Sequence, residues 1–193
     1  MRNSTTNILL VGVGGQGIIL GSEILTYALM SAGYDVKKSE VHGMSQRGGS
    51  VNTHVRFGKK VYSPIIKEGE VDILFAFEKL EALRYIGFLK QDAQVILNDH
   101  AINPPSVSLG VDEYPKDIPK IIKKRFPNLH LVNGLDLALK IGNPKTVNTG
   151  LLGVLSRYID MDEGLWIDAI SKVFPEKFVS INIEAFRLGR REG

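Results

Sequence analysis

Two glycine-rich segments contain most of the residues in this sequence whose types and spacing could support chemistry. The first is Gly12-Val13-Gly14-Gly15-Gln16-Gly17, in which Gly12, Gly14 and Gly17 have the spacing of a dinucleotide-binding turn. Glu40 follows roughly twenty residues later, where such proteins carry an acidic residue that binds a ribose hydroxyl. Glycines in these positions also let a strand turn sharply and a helix pack closely, so a ligand-binding turn and a packing turn both remain open. The candidate cofactor-binding residues of this segment are Gly12, Gly14, Gly15, Gln16 and Gly17.

The second segment is Glu40-Val41-His42-Gly43-Met44-Ser45-Gln46-Arg47-Gly48-Gly49-Ser50, which combines glycines with one permanent positive charge, on Arg47. Such a loop can direct backbone N–H groups and an arginine side chain at an anion, for example a carboxylate or a diphosphate. The alternative is a solvated loop held by its own polar groups. The candidate cofactor-binding residues of this segment are Gly43, Gln46, Arg47, Gly48, Gly49 and Ser50, and the candidate catalytic residues are Arg47 and His42.

Other catalytic motifs are incomplete. Gly12 and Gly17 also have the spacing of a P-loop, but Ile18 and Ile19 stand where that motif has Lys and Ser or Thr, which argues against this kind of ATPase site. The run from Gly43 to Arg47 lacks the final glycine of the serine-hydrolase motif. Because the chain has no Cys and no HExxH pattern, we predict no metal site and no Cys-ligated iron–sulfur cluster.

The elements that must position these segments alternate between strands and helices. Ile8-Leu9-Leu10-Val11 is a continuous apolar run typical of a central parallel strand, and it leads directly into the first glycine segment. Apolar residues at helical spacing follow until Gly33, and Tyr34 to Lys38 predicts a second strand that completes a βαβ unit. Further strands are predicted at Asp72 to Phe77, Gln94 to Leu97 and Leu129 to Val132. The predicted fold class is α/β: a doubly wound, mostly parallel sheet with helices on both faces, an added β-hairpin and a helical C-terminal third.

The predicted hairpin follows the second glycine segment. Apolar and polar residues alternate from Val51 to Phe57, which indicates a strand with one face that is wet or touches something. Gly58-Lys59-Lys60 then predicts a turn into a second strand, Val61-Tyr62-Ser63-Pro64. The stretch from Asn98 to Pro119 indicates a long surface connection with at most a short strand at Val107 to Leu109.

Helices are predicted throughout the last third of the chain. Asn143-Pro144 combines a favourable N-cap with a proline suited to the first helical position. Trp166 to Val173 predicts a second helix, and Phe178 to Leu188 predicts a third that ends near Gly189.

Length and composition limit the kind of molecule. A chain of 193 residues fits one domain, spanning residues 1–193. No run approaches the roughly 18 apolar residues of a membrane span, so we expect a soluble, cytoplasmic protein that does not contact a membrane. The net charge of +3 arises from positive residues scattered along the chain, and we therefore expect no nucleic-acid partner.

Three stretches together resemble the gamma domain of the 2-oxoacid:ferredoxin oxidoreductases, the pyruvate/ketoisovalerate oxidoreductase gamma type. They are the first glycine segment, the run from Glu40 to Val51, and Thr53-His54-Val55-Arg56-Phe57-Gly58. The resemblance spans the whole chain, because Thr146 to Gly153 and Asn182 to Gly189 resemble the family's helical tail. Pyruvate and 2-oxoglutarate members usually have different residues around the Arg-Gly pair, whereas the form found here, His-Gly-Met-Ser-Gln-Arg-Gly-Gly, is similar to the small subunit of the indolepyruvate members.

The resemblance implies CoA-dependent oxidative decarboxylation of an arylpyruvate such as indolepyruvate, with electrons passed to ferredoxin. In this family, thiamine diphosphate and the iron–sulfur clusters belong to a large partner subunit. The resemblance therefore implies that this chain binds no cofactor tightly and is inactive alone, while thiamine diphosphate, iron–sulfur clusters and CoA act in the assembled complex. Two alternatives stay open: a free-standing NAD(P) or flavin oxidoreductase that uses the first glycine segment, and a purely structural assembly module.

Overall fold

One mixed sheet forms the centre of the molecule in the computed structural model, which describes residues 5–42 and 48–192. Within these residues the sheet has six strands in the order β2-β3-β1-β4-β5-β6. Strand β3 runs antiparallel to both of its neighbours, and the pairs β1–β4, β4–β5 and β5–β6 are parallel. The strands are β1 (Thr6–Val13), β2 (Asp35–His42), β3 (Ser50–Gly58), β4 (Val71–Ala76), β5 (Leu89–Asn98) and β6 (Leu129–Val132).

Helices cover both faces of the sheet, which confirms the predicted α/β fold class. The helices are α1 (Ile18–Ser31), α2 (Lys79–Arg84), α3 (Pro105–Ser108), α4 (Ile118–Arg125), α5 (Gly134–Lys140), α6 (Val147–Ser156), α7 (Glu163–Val173) and α8 (Glu176–Glu192). Buried residues of α1, α6, α7 and α8 form one apolar core with the sheet, and buried residues of α2 and α4 form a second core on the opposite face. None of the helices in the described ranges is long and apolar enough to cross a membrane.

The chain leaves the neighbouring strands β1 and β4 toward opposite faces. Strand β1 leads into α1, whose Leu25 lies in the first core, whereas β4 leads into α2, whose Ala82 lies in the second. The carboxyl ends of β1 and β4 therefore form a topological switch point, the place where open α/β sheets leave a crevice for ligands.

The predicted hairpin differs from the observed one. Strand β3 pairs with β2 and β1, and residues 59–70 form no strand, so the prediction of a strand at Val61 to Pro64 is wrong. These residues instead cover the polar face of β3. His54 Nδ1 accepts a hydrogen bond from the backbone N–H of Ile66 at 3.2 Å, and Arg56 Nη1 donates to the carbonyls of Ser63 and Ile65 at 3.0 and 3.1 Å. Side chains of β3 thus supply partners that a second strand would otherwise provide.

Two further predictions are corrected in the last two thirds of the chain. The short strand predicted at Val107 to Leu109 is wrong, because Pro105 begins helix α3 there. Helix α8 does not end at Gly189 but continues to Glu192. Gly189 serves close packing instead, since a Cβ atom added to it would lie 1.8 Å from the carbonyl oxygen of Gly150 in α6. The predicted N-cap at Asn143 is confirmed, since its side chain accepts a hydrogen bond from Lys145 N at 3.0 Å, but it caps a single 3-10 turn, Pro144–Thr146, and helix α6 begins only at Val147.

Candidate functional site

The first glycine segment forms a tight turn from β1 into α1 that is braced by its own glutamine. Val13 N donates to Gln16 Oε1 at 2.8 Å, and Gln16 Nε2 donates to the carbonyl oxygen of Phe77 at 3.1 Å. A Cβ atom on Gly12 would lie 2.8 Å from Gln16 Oε1 and 3.0 Å from Phe77 Cβ. Gly12 is therefore required for close packing, and Gln16 joins the turn to the residue that follows β4.

Gly17 brings α6 against the amino end of α1. Its φ of +78° lies in the left-handed region, and a Cβ atom at this position would lie 1.9 Å from Asn148 Nδ2. Only glycine suits both the backbone conformation and this approach. The structure thus places Asn148, which the sequence indicated only through a family resemblance, beside the glycine turn.

The end of the second glycine segment is joined to the first by two backbone hydrogen bonds. Gly14 N donates to Gly49 O at 2.8 Å, and Gly48 N donates to Gly14 O at 3.3 Å. The structure therefore brings Gly48 and Gly49 of the second segment against Gly14 of the first at the carboxyl end of β1. Gly43, Gln46 and Arg47 lie outside the described residues, as does the side chain of His42.

Ser50, the last residue of the second segment, is held by a buried carboxylate of α2. Its hydroxyl donates to Glu81 Oε2 at 2.5 Å, while Arg84 Nη1 donates to Glu81 Oε1 at 2.8 Å. Glu81 is only 3% exposed. Burial raises the pKa of Glu81, and the hydrogen bond from Ser50 and the charge of Arg84 act in the opposite direction.

Glu78, one turn earlier, holds a different segment. It is buried and its carboxylate accepts hydrogen bonds from Glu81 N at 2.8 Å, Ile102 N at 3.0 Å and the hydroxyl of Tyr114 at 2.5 Å. Burial raises the pKa of the Tyr114 hydroxyl above its ordinary value, and the hydrogen bond to Glu78 raises it further.

Sequence reasoning missed both glutamates. The available signal was an acidic residue placed directly after an apolar parallel strand, at the edge where such sheets place functional groups.

A cleft of about 500 Å³ opens over the carboxyl ends of β1, β4, β5 and β6. Asn98 forms part of its floor, where Nδ2 donates to Phe77 O at 3.1 Å and Oδ1 accepts from Gly134 N at 3.0 Å. The side chains that give the lining its polarity belong to Gln16, Asn98, Asp99, His100, Asn133, Lys145 and Asn148. The charge of Asp99 is offset by an ion pair with Lys79, with 2.8 Å between Oδ1 and Nζ. The amides and Lys145, together with the amino ends of α1 and α6, therefore favour a polar ligand with negative charge.

The arrangement argues against a Rossmann-type dinucleotide site. Strand β3 lies between β1 and β2, which displaces Glu40 from β1 by two strand spacings, or about 10 Å. Glu40 instead forms an ion pair with Lys38, with 2.7 Å between Oε1 and Nζ. In the turn itself, Gln16 and Asn148 occupy space next to the glycines, where a dinucleotide's diphosphate would approach the backbone.

A protein-family model described as pyruvate ferredoxin/flavodoxin oxidoreductase matches residues 7–192. The chain belongs to this family. Within it, the chain is 40% identical to the indolepyruvate oxidoreductase subunit IorB of Thermococcus kodakarensis, over 95% of this chain and 93% of that protein. It is 42% identical to the protein of the same name from Archaeoglobus fulgidus, over 95% of this chain and 92% of that protein.

Solved structures share the fold at lower identity. The pyruvate oxidoreductase subunit PORC of Thermotoga maritima superposes with a TM-score of 0.72 at 21% identity, over 97% of this chain and 96% of that chain. The 2-oxoglutarate:ferredoxin oxidoreductase of Magnetococcus marinus has a TM-score of 0.77 at 20% identity, over 98% of this chain but 31% of that one. The same fold therefore occurs both as a separate chain and within a longer one.

Proposed function

We propose that this chain is the small subunit of an indolepyruvate ferredoxin oxidoreductase, working together with a larger subunit. The observation that carries the proposal is its 40–42% identity, over 95% of the chain, to proteins named indolepyruvate oxidoreductase subunit IorB. Relatives named for ketoisovalerate, or for pyruvate and ketoisovalerate together, are 26–28% identical. This difference favours an arylpyruvate as the substrate.

The proposed reaction is the oxidative decarboxylation of an arylpyruvate. The bond between the carboxylate and the keto carbon breaks, carbon dioxide leaves, the keto carbon becomes the acyl group of a thioester with CoA, and a pair of electrons passes to ferredoxin. Thiamine diphosphate, when bound, supplies the carbanion chemistry that this bond breakage needs. We assign thiamine diphosphate and the iron–sulfur clusters to the larger subunit. The donor set of this chain fits that division, since it has no Cys with which to ligate a cluster.

The proposed contribution of this chain is to orient anionic groups at the carboxyl edge of its sheet. Gly14, Gly48 and Gly49 fix the two glycine segments together there, and Arg47 directly precedes Gly48 in the chain. Lys145 lies in the adjoining cleft. These two positive side chains are the groups we assign to the substrate carboxylate or to a diphosphate of a cofactor in the complex.

Reconstitution tests the proposal. The two subunits are purified separately and mixed, and indolepyruvate- and CoA-dependent reduction of a ferredoxin or a viologen dye is followed. We expect turnover from the mixture only, with indolepyruvate preferred over pyruvate and 2-oxoglutarate in kcat/KM. Full activity of the larger subunit in the absence of this chain contradicts the proposal.

A further inference from the structure

Glu81 carries a nearly fully buried carboxylate that the proposed reaction does not use. Burying a charged group is unfavourable unless the group is paired and hydrogen-bonded, and an apolar side chain of similar volume avoids that cost. Packing alone therefore does not account for a carboxylate at this position. Both carboxylate oxygens are engaged, one by Ser50 Oγ at 2.5 Å and the other by Arg84 Nη1 at 2.8 Å.

Ser50 is the point at which the second glycine segment becomes strand β3. In the ladder with β1 it lies opposite Val13, the last residue of β1. The two residues before it, Gly48 and Gly49, make the backbone hydrogen bonds with Gly14. A carboxylate that fixes Ser50 therefore also restrains the glycines that join the two segments.

A second hydrogen bond joins the same two parts of the chain farther from the carboxyl edge. Asn52 Nδ2 donates to the hydroxyl of Tyr85 at 2.7 Å, and Asn52 lies on the same face of β3 as Ser50. Tyr85 directly follows Arg84, the last residue of α2. This link contributes to packing between β3 and α2 without touching Ser50 or the glycines, and it supplies a matched control.

We propose that Glu81 is a positioning residue for the glycine-rich carboxyl edge: through Ser50 it holds Gly48 and Gly49 against Gly14. The inference rests on the proposed function, because the edge is assigned there to substrate or cofactor binding. Glu81 acts through Ser50 and touches no reacting atom in this scheme.

The kinetic test uses the complex of the full chain with its larger subunit. Glu81→Leu, which removes both acceptor oxygens, and Ser50→Ala are each expected to lower kcat with indolepyruvate by about tenfold while KM changes less than about twofold, because the glycine-rich edge is misplaced rather than the substrate lost. Combining the two substitutions adds little further loss, since both break one link. Ser50→Thr restores most of kcat because it keeps the hydroxyl, and the control Tyr85→Phe stays within about twofold of the unaltered protein.

Hydrogen–deuterium exchange on the isolated chain tests the same link without any turnover. The amides of Gly14 and Gly48 should exchange about tenfold faster in Glu81→Leu and in Ser50→Ala than in Tyr85→Phe, because the hydrogen bond between residues 50 and 81 no longer opposes local opening. If Glu81→Leu does not fold, Ser50→Ala alone decides the question. Equal exchange in all three variants, or equal loss of kcat in Glu81→Leu and Tyr85→Phe, overturns the positioning role. An unaltered complex that is inactive with every 2-oxoacid instead overturns the proposed function, and exchange then decides the link.

Discussion

Arg47 is the only charged residue between Gly43 and Gly49, and it directly precedes the glycine that bonds to Gly14. If its guanidinium binds a carboxylate or a diphosphate in the transition state, Arg47→Ala removes a hydrogen bond to a charged group, which typically costs about 1.5 to 3 kcal/mol. We therefore expect kcat/KM of the assembled complex to fall roughly ten- to a hundredfold. Arg47→Lys should rescue only part of this loss, because an ammonium group cannot reproduce a bidentate contact.

Steady-state kinetics at saturating larger subunit, together with gel filtration, separate ligand binding from assembly. Arg191→Ala, which removes an exposed guanidinium at the end of α8, is the matched control and should leave both measurements unchanged. If the assembled Arg47→Ala complex has normal kinetics but its subunits associate more weakly, then Arg47 acts at the subunit interface and not in ligand binding.

His54 gives the fold a pH dependence with a defined sign. It is 6% exposed, and burial together with the charge of Arg56 lowers its pKa below the ordinary value. Near pH 6.5 the imidazole of His54 therefore binds a proton in the unfolded chain but stays neutral in the folded chain. His54 thus stabilises the fold above that pH, and this stability is lost as pH falls toward the folded-state pKa. Protonation also removes the acceptor for Ile66 N.

Urea unfolding of the native chain and of His54→Asn between pH 7.5 and pH 5 measures this effect. Asparagine keeps an acceptor near the position of Nδ1 but does not titrate, so the variant should be less stable at neutral pH and lose less stability on acidification. His130, whose pKa is also lowered by burial, is present in both proteins and cancels in the comparison. Identical pH slopes would show that His54 does not titrate in this way.

At the scale of elements, helices α6 and α8 meet at glycines that leave no room for a side chain. A Cβ atom on Gly153 would lie 2.0 Å from Phe186 O and 2.7 Å from Arg190 N. Gly153→Ala must therefore push the two helices apart, and we expect a loss of stability of about 1 to 3 kcal/mol or more. Gly87→Ala is the control, because a Cβ atom there meets nothing within 4 Å. Equal urea midpoints for the two variants would contradict this account of the helix contact.

The elements that the sequence predicts correctly are those with local signals. The apolar run of β1, the glycine turn and the periodic α1 form one continuous pattern, and each lies where it was expected. The position of β3 between β1 and β2 could not be predicted, because strand pairing joins residues far apart in sequence and alternation indicates a strand but not its neighbours. Alternation likewise predicted that one face of β3 is either exposed to solvent or in contact with another group, and it did not predict that residues 59–70 cover that face without forming a strand.

The same distinction applies to the candidate site. Both glycine segments could be read from composition and spacing, and the structure joins their described residues through Gly14. No sequence motif marks Glu78 or Glu81, because the role of each depends on a partner far away in sequence. Glu78 binds Tyr114, 36 residues away, and Glu81 binds Ser50, 31 residues away. The polar cleft is likewise assembled from the ends of four strands, and no single stretch of sequence contains it.

For the whole molecule, the order of the strands argues against a free-standing dinucleotide enzyme. Strand β3 separates β1 from β2, Gln16 bonds into the glycine turn, and Asn148 packs against Gly17. The first feature removes the acidic residue from beside the first strand, and the other two place side chains where a dinucleotide's diphosphate would approach the glycines. The absence of Cys in turn leaves no thiolate ligand for an iron–sulfur cluster.

We therefore expect the purified chain to be colourless, to contain no stoichiometric iron, and to show no saturable binding of NAD(P) or flavin. Calorimetric titration, iron analysis and absorbance spectra of the isolated chain measure these properties. The same preparation must regain 2-oxoacid-dependent ferredoxin reduction when the larger subunit is added, which shows that it was folded during the titrations. Stoichiometric binding of a nucleotide to the isolated chain would contradict the argument from strand order. The glycine turn would then be interpreted as a dinucleotide-binding site.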